Sequence, residues 1–264
     1  MDYAKFGSLQ VSRFILGSNP FSGFSHQSPE MDRVMMSYYR TEKIKETLHQ
    51  AESLGVNTLI ARTDNHVLRF LLEFHDEGGG LQWFAQTCPE VGPQPMCVER
   101  AIKGGAVACH VHGGWMDWLL SQGRLEESIP VVEQIRETGM LAGVAGHRIE
   151  VIRWAVENLP VDYLMCSYYN PIPRDKNPLH VSGLEEVYED SHRDTITSLI
   201  QQIPKPVIHY KIMAAGRNEP QEAFGFAAGK MRDTDAVCVG VYTAEKPGMI
   251  AEDVRLLEQG LAGA

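Results

Sequence analysis

Short apolar runs alternate along this chain with longer stretches whose apolar positions recur every three or four residues. The runs fall at 13–17, 56–61, 81–86, 106–112, 141–145, 161–166, 206–210 and 236–241. Between them, helical periodicity occupies 43–54, 67–74, 96–102, 126–138, 149–157, 195–202, 220–230 and 245–259. Apolar strands that alternate with helices predict a parallel sheet buried on both faces. Eight such units are what a (β/α)8 TIM barrel requires. A doubly wound open sheet would carry a GxGxxG turn after its first strand, and none is present. No linker or shift in composition interrupts the pattern, so a single barrel domain over 1–264 is expected, with a long loop at about 19–42 after the first strand.

The polar residues that follow the apolar runs change this from a fold reading into a functional one. The runs end in Arg62-Thr63-Asp64-Asn65-His66, His110-Val111-His112-Gly113, Gly146-His147 and His209-Tyr210-Lys211. In a barrel, the C-terminal strand ends and the loops that follow them form one mouth, where the chemistry sits. Residues two apart on a strand share a side. Thus His110 with His112, Arg62 with Asp64, and His209 with Lys211 are each expected to point the same way.

Composition narrows the function classes. The 264 residues are 44% apolar and 22% charged with a formal charge of −10, as in a globular protein, and without the clustered Lys and Arg of a nucleic-acid surface. No apolar run approaches the ~20 residues of a membrane span, and the N-terminus has no signal-peptide pattern. The five cysteines lack zinc-like spacing and read as reduced thiols of a cytoplasmic protein. The expected partner is a small-molecule substrate, with neither nucleic acid nor membrane, and a homo-oligomer is compatible with the sequence.

Each candidate has a plainer reading beside the chemical one. His49, His75, His180 and His192, on helices or loops, read as ordinary structural or surface histidines, whereas His112, His147 and His209 sit at strand ends. Lys211 is either a snorkelling lysine, an electrostatic clamp, or a depressed-pKa amine able to form a Schiff base. Arg62 and Asp64 either pair with each other or serve the substrate. Trp115, after Gly113-Gly114, is a core residue or a stacking wall. A divalent metal could be held by His112, His147 and His209 with Asp64 or Glu90, although this spacing matches no recognised metal motif. Gly216-Arg217-Asn218, before a helix, reads either as an anion site or as a simple helix cap.

Several segments resemble the aldo-keto reductase superfamily in order and at sensible spacing. The stretch Phe6-Gly7-Ser8-Leu9-Gln10-Val11-Ser12-Arg13-Phe14-Ile15-Leu16-Gly17 is similar to that family's N-terminal hairpin and first strand. Ala51-Glu52-Ser53-Leu54-Gly55-Val56-Asn57, Tyr169-Asn170-Pro171 and Tyr210-Lys211-Ile212-Met213-Ala214-Ala215-Gly216-Arg217 resemble later family segments. By this resemblance Tyr210 would stack on a nicotinamide. The family's catalytic Asp, Tyr, Lys and His fall on Ile60, Asn65, Gln86 and His112, so only the histidine is retained, with His66 next to the tyrosine position. Its Ser-Asn pair falls on Ala145 and Gly146, its Gln on Cys166, and its phosphate-clasping basic residues are not evident in 242–247.

The sequence therefore predicts a barrel enzyme acting on a small polyhydroxylated or keto substrate by acid–base lyase, hydratase or isomerase chemistry. His112 and His209 would be acid and base, Lys211 and Arg62 would stabilise an oxyanion, and Asp64 and His147 would orient or bind a metal. Substrate contacts are expected from Asn19, His26, His66, Gln86, Trp115, Tyr168, Tyr210 and Arg217. The alternatives are a divergent NAD(P)H-dependent reductase, with NAD(P) ranked below a divalent metal as cofactor, and an inactive metabolite-binding barrel.

Overall fold

A computed structural model of the chain describes residues 1–179 and 186–263; His180 lies outside them. Eight parallel strands close into a barrel in the order β10-β3-β4-β5-β6-β7-β8-β9. They are β3 (Phe14–Gly17), β4 (Thr58–Arg62), β5 (Gln82–Gln86), β6 (Ala108–Val111), β7 (Leu141–Gly146), β8 (Tyr163–Ser167), β9 (Val207–Tyr210) and β10 (Ala236–Gly240). The architecture is the (β/α)8 barrel expected from the alternation. Among the described residues, no helix is long and apolar enough to cross a membrane.

An antiparallel hairpin, β1 (Tyr3–Phe6) and β2 (Leu9–Ser12), precedes the barrel. Its buried residues Ala4, Phe6 and Val11 join one core cluster with Ile15, Phe84, Tyr163 and Ile208 of the barrel strands. The Phe6 ring meets Phe84 and Tyr163 edge-on at 6.3 and 5.9 Å between centroids. Alternating large and small residues fill the interior. A Cβ at Gly143 would lie 2.5 Å from the Tyr163 ring, so the tyrosine fills space that only glycine leaves open.

The segment read as a loop at about 19–42 is largely helical. It holds α1 (Pro29–Tyr38), which leads into α2 (Thr41–Ser53). The Ser28 hydroxyl accepts the Met31 N–H, Pro29 sits in the first turn, and Glu30 and Asp32 favour the positive helix end. The Tyr39 hydroxyl then donates to the Val241 carbonyl at 2.8 Å and accepts the Thr243 N–H at 3.1 Å. This hydroxyl ties the segment to the loop after β10. Tyr39→Phe leaves both backbone groups unpaired and is expected to cost about 1–2 kcal/mol in chemical denaturation.

The remaining helices pack outside the strands: α3 (Asn65–Asp76), α4 (Gln94–Lys103), α5 (Gly113–Ser121), α6 (Ile129–Glu137), α7 (Ile149–Asn158), α8 (Asp190–Ile200), α9 (Pro220–Ala228) and α10 (Met249–Ala262). In α3 the apolar spacing buries Val67, Phe70, Leu71 and Phe74 on one face. The Gly113-Gly114 pair begins α5 rather than forming a free turn.

Candidate active site

The C-terminal strand ends open onto a cavity of about 400 Å³. Eight of the expected residues line it: Asn19, His26, Arg62, Gln86, His112, His147, Tyr210 and Lys211. Alternation explains several of them, since Ile60 faces the interior and puts Arg62 on the same side, while Ile208 does the same for Tyr210.

His209 breaks the expected pairing. It is fully buried outside the barrel wall, 3.0 Å from the Tyr168 hydroxyl and 3.3 Å from Asp235. The paired reading of His209 and Lys211 failed because the strand ends between them. Lys211 has φ 61°, a left-handed conformation that ends the extended alternation and brings its side chain to the cavity with Tyr210. Tyr168, expected at the substrate, instead holds His209.

Four more expected residues lie off the cavity. Asp64 caps α3, accepting the Val67 N–H at 3.0 Å, and binds Arg62 at 3.1 Å. His66 is exposed and sits 3.2 Å from the Phe21 carbonyl. Trp115, on α5, packs against the core outside the strands. Arg217 donates to the carbonyls of His26 and Ala214, and the Asn218 amide donates to Tyr169 and Ile212. The segment 216–218 is thus held by internal bonds, and Glu219, not Asn218, occupies the position before α9. The metal set of His112, His147, His209 and Asp64 is not assembled. Among the described residues, no group of three or more His, Cys, Asp or Glu is placed to hold a metal ion.

The polar partners within the mouth are specific. His147 Nδ1 is 2.6 Å from Asp117 Oδ2, and Asp117 also accepts the backbone N–H groups of His147 and Arg148. Burial moves the His147 pKa below the ordinary imidazole value, with Asp117 opposing the shift. The ring is therefore a neutral imidazole at pH 7, and its Nε2 is the nitrogen that Asp117 does not engage. Burial also pushes His112 down to about 3, and its Nδ1 is buried without a partner among the described residues. Beneath them His110 is wholly buried, 3.1 Å from the Tyr163 hydroxyl and 3.4 Å from Gln86.

Lys211 Nζ lies 3.4 Å from His26 Nε2, and His26 Nδ1 lies 2.7 Å from Glu186. Glu186 also accepts the Tyr188 hydroxyl. Burial raises the Glu186 pKa, but His26 and Tyr188 overcome it and hold it at about 2. His26, like Lys211, has a positive φ, 57°. Two strained non-glycine residues that touch each other at a cavity mark a site where packing over-determines the backbone. Burial lowers Lys211 to about 8, with Glu186 opposing and Arg174 and Arg217 adding to the fall.

Sequence reasoning missed Asp117, Arg174 and Glu186. Nothing in α5 marks Asp117 as the partner of a histidine thirty positions later. Arg174 and Glu186 come from the Pro-rich connection after β8, where no periodicity assigns a direction. The cavity lining also includes residues at the start of α10 and the loop before it: Tyr242, Glu245, Lys246, Met249, Glu252 and Asp253. Lys246 is paired with Glu252, and burial raises Asp253 to about 7, Glu252 adding to the rise.

No family model and no curated protein matches the chain. Solved structures do. A presumptive aldo-keto reductase from Pseudomonas aeruginosa is 17% identical, with 98% of this chain and 96% of that one covered at a TM-score of 0.67. An aldo-keto reductase of Bacillus halodurans, in its holo form, is 13% identical over 98% of this chain and 91% of that one, with a TM-score of 0.64. The truncated 3-deoxy-D-arabino-heptulosonate 7-phosphate synthase of Thermotoga maritima is 12% identical over 97% and 89%, with a TM-score of 0.58. The aldo-keto reductase resemblance read from the sequence thus extends to the whole fold. At these identities it is the fold that is shared.

Proposed function

We propose that this barrel is an enzyme of a reducing compartment that moves protons on a small polyhydroxylated keto substrate, in lyase, hydratase or isomerase chemistry. The observation that carries the reading is the meeting of Lys211 and the His147–Asp117 pair at one cavity. Asp117 holds His147 Nδ1–H, so Nε2 is a neutral base able to take a proton from the carbon beside a carbonyl. The Lys211 ammonium neutralises the enolate oxygen that develops, and neutral His112 is placed to polarise the same carbonyl. The free cysteines support the compartment.

His147 takes the place of His209 as base, and no metal is set in the path, because His209 and Asp64 lie off the cavity that His112 and His147 line. A screen of sugar ketones in D2O tests it, read by NMR. Deuterium should enter beside the carbonyl of at least one ketone in wild type, and not in His147→Gln. Absence of exchange across the panel overturns the reading.

A divergent reductase is the second reading, favoured by Tyr210 lining the cavity where the resemblance implies a nicotinamide wall. The phosphate end of such a cofactor does not fit the residues present. Near the start of α10 the cavity is lined by Glu245 and Asp253, and by Lys246 and Glu252, which pair with each other. A phosphate there would meet the Glu245 carboxylate with no unpaired cation among the described lining residues to offset it. Quenching of tryptophan fluorescence by NADPH at millimolar concentration would restore this reading.

A further inference from the structure

The charges around the cavity are unequally neutralised. Arg62 is held by Asp64 at 3.1 Å and Glu90 at 3.4 Å, and stacks on Phe24. Glu186 is engaged by His26 and Tyr188. Lys246 pairs with Glu252, so among the described residues two cavity-lining cations remain. Lys211 Nζ lies 3.4 Å from His26 Nε2, and Arg174 donates to the Leu179 carbonyl at 2.6 Å. Among the described residues neither has a carboxylate within 4.0 Å. Both belong to loops leaving adjacent strands, Arg174 after β8 and Lys211 after β9.

From this geometry we infer that the mouth takes an anionic group of the substrate, a carboxylate or a phosphate, between Arg174 and Lys211. The inference rests on the reading of this cavity as the substrate site, and it adds the substrate's charge. Arg174 and Lys211 repel each other, and Arg174 contributes to the lowered pKa of Lys211. An anion between them relieves that repulsion. The guanidinium fork suits a planar carboxylate or a phosphate face, and the ammonium supplies a second point charge. With His147 and His112 neutral and Arg62 and Lys246 paired, these two supply the positive charge that the described cavity lining leaves without a carboxylate partner.

Thermal-shift titrations at fixed chloride test this, with D-gluconate, inorganic phosphate and the neutral polyol D-glucitol as probes. At least one anion should give half-maximal protection at a concentration tenfold or more below that of glucitol. Arg174→Gln, checked for unchanged circular dichroism, should raise that concentration at least tenfold, and Arg174→Lys should recover part of the difference. Preference for gluconate identifies a carboxylate site, and preference for phosphate a phosphoryl site. Equal protection by glucitol, no protection by either anion, or an unchanged response in Arg174→Gln overturns the inference. Anion binding without deuterium exchange would leave the site standing and remove the proposed chemistry. Exchange on ketones with no anion preference would do the reverse.

Discussion

Lys211→Met is expected to lower turnover of a ketone found by the exchange screen about 10²–10³-fold, the usual cost of removing one group that stabilises a developing oxyanion. The pH profile separates this role from a structural one. Burial, reinforced by Arg174 and Arg217, brings Lys211 to about 8, so the ammonium is present below pH 8 and is lost above it. If the ammonium is the working form, kcat/KM of wild type should fall tenfold per unit above about pH 8. In Lys211→Arg that upper limb should vanish, because a guanidinium stays charged throughout. The acid limb belongs to His147, whose pKa is lowered by burial, so it should lie below the ordinary imidazole value near 6.5. An upper limb that survives in Lys211→Arg would remove Lys211 from the chemistry.

The barrel was legible because its strands are buried on both faces and therefore read as continuous apolar runs. The mouth was legible because polar residues directly follow those runs. What failed was direction, wherever the backbone leaves the strand. Alternation brought Arg62 and His112 to the cavity, since each still follows the pleat of its strand, whereas Tyr210 was offered by the resemblance and not by the pairing of His209 with Lys211. It misplaced His209 because one residue of phase separates the two sides of the wall, and the left-handed Lys211 hides that shift. The α1 helix was missed although Ser28-Pro29-Glu30 carries a capping signal, because its burial is slight and only Met35 is buried. Asp117 and Glu186 complete the site through contacts distant in sequence, which no local pattern encodes.

The other large effect concerns the wall rather than the mouth. Asp235→Asn is expected to destabilise the protein by about 3–5 kcal/mol, as when one partner of a buried ion pair is removed. Asp235 is fully buried and accepts Arg232 Nε at 2.9 Å, Arg232 Nη2 at 2.7 Å and the Val207 N–H at 3.0 Å, with His209 Nε2 at 3.3 Å. Arg232 reaches on to the Lys205 carbonyl, while Arg13 donates to the carbonyls of Asp235 and Arg232. This cluster clamps β9 and β10 and ties them to Arg13 beside β3, where the last strand closes on the first. Burial pushes the Asp235 carboxyl up, but hydrogen bonds from His209 and Arg232 overcome it and hold the group well below the usual carboxylate range. A depressed carboxyl contributes stability that is complete above the unfolded value near ~3.9 and is lost as pH falls through the folded one. Wild type should therefore lose stability below about pH 4, and that loss should be smaller in Asp235→Asn. Urea denaturation across pH 2–7 reads both quantities. A cost below about 1 kcal/mol, in the range of an exposed pair, would mean that the clamp does not hold the barrel closed.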